Sequence, residues 1–89
     1  MTNKLLWGLL VNLRDIQDPN KTFWHRLAYT HAPTYEDALD ILAKKLKRQA
    51  ESEIFRNQLI RAVICLKEGK KWIEVADITH LAKSELGNL

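Results

Sequence analysis

Glu36 and Asp40 stand one helical turn apart, a spacing that would place two carboxylates on one face. Paired acids in unlike environments are how enzymes separate a general acid from a general base. Lys44 follows at the next turn, however, and Asp40 with Lys44 reads as a favourable i, i+4 ion pair. Nothing apolar flanks the trio on that face, so it reads as a solvated ion ladder. The three histidines, His25, His31 and His80, are too scattered in sequence for a metal site. Cys65, inside Ala62-Val63-Ile64-Cys65-Leu66, reads as a small buried hydrophobe. The glycines stand singly at positions 8, 69 and 87, so no glycine-rich loop can cradle a phosphate. These patterns predict a non-enzymatic protein with no metal, no cofactor and no small-molecule substrate.

Two basic clusters could meet an anion. Lys44, Lys47 and Arg48 share one side of a helix, and Lys67, Lys70 and Lys71 form a knot around Gly69. Phosphate binding needs several cations facing one way. The first cluster is cancelled by Glu36, Asp37, Asp40 and Glu51, and its ordinary role is to keep an apolar chain in solution.

The chain has 89 residues, 46% of them hydrophobic and 28% charged, with a net charge of +3. A domain this short buries only roughly 60% of the surface its unfolded form exposes. Its many Leu, Ile and Val and its three Trp therefore exceed the volume it can enclose, and part of them should form a surface patch. Trp7, Trp24 and Trp72 are the candidate anchors of a protein interface, because Trp offers large contact area at small rotameric cost. Arg26 and Tyr29 are the candidate polar rim. The densest apolar stretch, Leu5 to Leu13, is too short to cross a bilayer and is followed by no small-residue cleavage site, so it reads as structure. A single unpaired Cys65 suits the cytoplasm.

The elements that must position these residues read as helices. Asn3 can cap a first helix to about Gln17, with Leu5, Leu6, Leu9, Leu10, Leu13 and Ile16 on its stripe. Leu5 to Leu13 also admits a strand. Asp18-Pro19 opens a second helix to about Tyr29, as cap and first helical residue. Thr34 caps a third, with Asp37 completing a weak capping box. The chain then either turns near Ser52, which caps a fourth helix from Glu53 to Lys67, or continues as one long helix formed by residues 35–67. Gly69 takes the left-handed position after that helix, and a last helix spans Lys71 to about Leu86. The sum is one all-α domain over residues 1–89, a compact bundle of four to five short helices.

From Glu74 the chain reads Glu-Val-Ala-Asp-Ile-Thr-His-Leu-Ala-Lys-Ser-Glu-Leu-Gly-Asn-Leu. This resembles the two-helix core of helix-turn-helix DNA-binding proteins, with Ala76 as the small residue between helices and Val75, Leu81 and Leu86 locking the crossing. His80 stands where that family usually has glycine. The resemblance implies that residues 74–89 form the helix-turn-helix, with Lys83, Ser84 and Glu85 opening its recognition helix and facing base edges or phosphates.

Two functions follow. The first is a cytoplasmic adaptor or regulator that docks on a protein partner or on a second copy of itself as a homodimer, through Trp7, Trp24, Arg26, Tyr29 and Trp72. The second is a small nucleic-acid-binding regulator using Lys67, Lys70, Lys71, Lys83 and Ser84. Neither involves a membrane.

Overall fold

The computed structural model describes residues 4–83, and it is a two-layer α+β fold, not a helical bundle. Strands β1 (Leu5–Arg14), β2 (Thr22–Ala32), β3 (Leu59–Glu68) and β4 (Lys71–Asp77) form one antiparallel sheet in the order β2-β1-β3-β4. Helices α1 (Tyr35–Gln49) and α2 (Glu53–Gln58) link β2 to β3, and the short α3 (Thr79–Lys83) follows β4.

The first expected helix is β1. Its apolar run satisfies a helical stripe and a strand equally well by spacing alone, and its neighbours decide the matter. Trp7, Leu9, Val11 and Leu13 alternate onto the helix-covered face and are buried. The second expected helix is β2, rich in the aromatic and β-branched residues that fit a pleated surface. Pro19 opens no helix: it sits second in a turn in which Lys21 N–H donates to Asp18 C=O at 2.9 Å. Asp15 Oδ1 accepts from the backbone N–H of Gln17 and Asp18 and closes the hairpin loop.

The helix expected from Thr34 is present as α1. Thr34 Oγ1 accepts from Asp37 N–H at 3.2 Å, and Ala38, Leu42 and Leu46 are its buried stripe. No long helix spans residues 35–67. The chain turns at Ala50, and Ser52 Oγ accepts from Phe55 N–H at 3.3 Å to cap α2. That helix stops at Gln58, where Leu59 turns extended and begins β3. Gly69 is left-handed, with φ 63°, but it serves the two-residue hairpin between β3 and β4 rather than a helix end.

Leu9, Val11, Leu42, Leu46, Leu59 and Ile64 lie fully buried between α1 and the sheet. Trp7 is there too, 5% exposed. Its Nε1–H donates to Ala32 C=O at 3.0 Å, and its ring tilts against Tyr35 with centroids 6.0 Å apart. Trp7 is thus a core residue and not an interface anchor.

Candidate functional site: the open face of the sheet

Among the described residues, the helices cover one side of the sheet only. Residues directly paired across strands project to the same side, so the register defines the other side row by row. Trp24, Asn12 and Arg61 form one row; Arg26, Leu10, Val63 and Asp77 the next; Tyr29, Gly8, Cys65 and Glu74 the third. Lys67 and Trp72 pair in a fourth.

Bulges make this assembly possible. Arg26 and Tyr29 are three residues apart and would face opposite ways in a regular strand. An extra residue in β2, Leu27, resets the alternation where Leu9 and Leu10 pair with Ala28 and Arg26, and Leu27 packs toward the core. Val75 does the same in β4, where Ile64 pairs with Ala76 and Cys65 with Glu74. Glu74 and Asp77 therefore share the open side, and Arg61 holds both: Nη2 donates to Glu74 Oε2 at 2.7 Å and Nε to Asp77 Oδ2 at 3.1 Å. These bonds keep the Arg61 guanidinium charged beyond its ordinary range. Asp77 also accepts from the Thr79 hydroxyl and backbone N–H, which with Arg61 hold its carboxyl below the usual carboxylate range.

At the centre, Leu10, Trp24, Val63, Cys65, Trp72 and Glu74 line a shallow cleft of about 260 Å³. The Trp72 indole crosses β3 to reach β1: a Cβ on Gly8 would lie 2.8 Å from its Cζ3. Glycine at position 8 thus lets the ring lie low over the sheet. Val63 and Cys65 are 2% and 3% exposed although no described helix covers their side, and burial pushes the Cys65 thiol up. A thiol raised by burial and by the facing Glu74 carboxylate is a poor nucleophile. Trp24 and Tyr29 stand out, 48% and 55% exposed. Arg26 lies over the Tyr29 ring at 5.1 Å from its centroid, and Lys67 Nζ over the Trp72 ring at 4.9 Å. Asn12 Oδ1 is the one buried side-chain polar atom without a hydrogen-bond partner among the described residues.

Of the residues singled out from sequence, Trp24, Arg26, Tyr29, Trp72 and Lys67 meet on this face. Lys70 is in the β3–β4 hairpin and Lys71 begins β4. Lys83 lies in α3, and its Nζ donates to Leu59 C=O at 3.3 Å, tying that helix to β3. Ser84, Glu85 and Leu86 lie outside the described residues. Residues 74–77 are strand, so the first helix of a helix-turn-helix is absent from its expected place. The ion pair read from sequence joins Lys44 and Asp40 at 3.8 Å on exposed surface. Among the described residues no group of three His, Cys, Asp or Glu is placed to hold a metal ion. No described helix is long and apolar enough to cross a membrane.

Sequence reasoning missed Gly8, Leu10, Arg61, Val63 and Glu74. Gly8 and Leu10 fall on this side by their alternate positions along β1, legible only once that segment is read as a strand, and Arg61, Val63 and Glu74 join them only through the register of β3 and β4.

No protein-family model matches the chain, and no curated protein or solved structure gives a significant match. The fold and site define it on their own terms: a two-layer module with one sheet face covered by helices and one left uncovered by the described residues, the latter carrying aromatic rings and cations.

Proposed function

We propose that this protein is a small non-enzymatic adaptor of the cytoplasm, acting by docking the open face of its sheet on a protein surface. One observation carries the reading: Trp24, Arg26, Tyr29 and Trp72 converge on one uncovered face. Trp, Tyr and Arg are the residues that dominate binding energy at protein interfaces: Trp and Tyr bury much area with few rotors, and Arg offers a planar, multiply donating guanidinium. Here Trp72 lies low over Gly8 with Lys67 on its ring, so this part of the surface is shaped before a partner arrives.

Affinity capture with the immobilised full chain tests this. Wild type and Lys47→Ala, altered on the helical side, are expected to retain the same partner. Trp24→Ala and Tyr29→Ala are expected to lose it while folding normally. Equal retention by all four proteins would refute the reading.

Nucleic-acid binding is the second reading, and the cations seated over Tyr29 and Trp72 support it through the sheet in place of a helix-turn-helix. Single strands bind where bases stack on aromatic rings beside Lys and Arg. Titration with a single-stranded oligonucleotide should then quench Trp fluorescence at low salt and lose its effect at high salt. Unchanged fluorescence at low salt would dismiss it.

A further inference from the structure

We propose that the occupant of the open face is a second copy of this chain, packed sheet to sheet about a two-fold axis that runs along the strands between β1 and β3. This rests on the reading that the open face is the docking surface, and it adds the partner and its register.

The charge layout selects the axis. Among the paired rows, the β2 edge presents Arg26 and the β4 edge presents Glu74 and Asp77. An axis along the strands lays β2 of one copy over β4 of the other while keeping each row level. Arg26 of each copy then faces Asp77 of the other, because both belong to one row through Leu10 and Val63. Leu10 faces Val63, and the Tyr29 hydroxyl meets Glu74. An in-plane axis across the strands would instead set β4 on β4 and oppose the acids, which costs both affinity and specificity.

The remaining terms agree. Asp77 is already charged and held by Arg61 and Thr79, so it needs no rearrangement to meet a second guanidinium. Strands of two packed sheets aligned to within about 30° are a common solution for a sheet with one dry face to cover. From a strand spacing of about 4.8 Å and a rise of about 3.3 Å per residue, the four rows measure roughly 500 Å² per copy. Roughly 1,000 Å² in total is the lower end for a specific interface, so the dimer is expected to be reversible.

Sedimentation velocity of the full chain tests this. The wild type should pass from monomer to dimer as concentration rises. Arg26→Glu, on an exposed edge strand, should weaken association by roughly tenfold or more, since it opposes acid to acid. Asp77→Arg should do the same, and an equimolar mixture of the two variants should recover dimer. Because Asp77 also caps Thr79, Tyr29→Glu offers a second test should Asp77→Arg fail to fold: it sets an acid against Glu74 of the other copy from an exposed position and should weaken association likewise. A wild type that stays monomeric, or a mixture no better than its components, overturns the proposal. A monomeric wild type whose captured partner is still lost with Trp24→Ala leaves the docking reading standing and removes only the self-partner. A dimer indifferent to both Trp24→Ala and Arg26→Glu removes both.

Discussion

The Trp72 indole rests against the backbone of Gly8 two strands away, so closely that a single added carbon at position 8 would stand 2.8 Å from the ring. That contact sets the depth of the central cleft. Gly8→Ala should push the indole outward at a cost of about 1–3 kcal/mol, the usual range for overpacking. A lowered denaturation midpoint together with an altered near-ultraviolet Trp signal would confirm it. An unchanged signal would mean that the ring does not lie across the strand.

Trp7 and Trp24 carry the same side chain to opposite sides of the sheet, one 5% and the other 48% exposed. Trp7→Phe leaves the Ala32 carbonyl without its donor and should cost about 1–3 kcal/mol of stability. Trp24→Phe keeps an exposed aromatic and removes no internal hydrogen bond, so it should lie within about 0.5 kcal/mol of wild type. Chemical denaturation of the two variants checks the contrast, and equal losses would contradict the assigned sides.

Thr79 joins β3 to the end of β4: its Oγ1 accepts from Ala62 N–H at 2.9 Å and its own proton goes to Asp77. Thr79→Val should strand that amide and cost about 1–3 kcal/mol. Loss of hydrogen-exchange protection at Ala62 would report it, and retained protection would contradict the bond.

The same bonds give a pH dependence. Asp77 has a folded-state value below its unfolded one, so its contribution is complete above the ordinary Asp range near about 4 and disappears as pH falls through the lowered value. Thermal melts should show wild type losing stability there and Asp77→Asn losing less. Parallel acid profiles would contradict it.

How much of this the amino-acid sequence carries depends on where local signals agree with tertiary ones. For α1 they agree. Thr34 caps it, acids begin it and bases end it, so its start was legible. Ser52 likewise marks a true boundary. For β1 they conflict: a central strand apolar on both sides has no clean alternation, and leucine favours a helix locally. The helical expectation for β3 fails for a related reason, since Ile60, Val63 and Ile64 were counted by spacing rather than by their β-branched shape. Gly69 was legible as left-handed, but helix ends and tight hairpins both ask for that conformation.

At the site, residue types were legible and sides were not. Trp24, Arg26, Tyr29 and Trp72 could be named from what such side chains do at interfaces. Trp7 was named on the same grounds and lies in the core, because only alternation along β1 separates it from Gly8 and Leu10. The acidic half of the face needs the bulge at Val75 and the pairing of Leu10 with Val63, which joins segments far apart in the chain. No local pattern encodes that register.

Amide and indole chemical shifts of the isotope-labelled protein, followed on dilution, test most directly whether this sheet face is where copies meet. The account predicts concentration-dependent shifts at Trp24, Arg26, Tyr29, Val63 and Asp77, with α1 residues such as Lys44 and Lys47 unmoved. Shifts centred on α1, or none at any concentration, would contradict it.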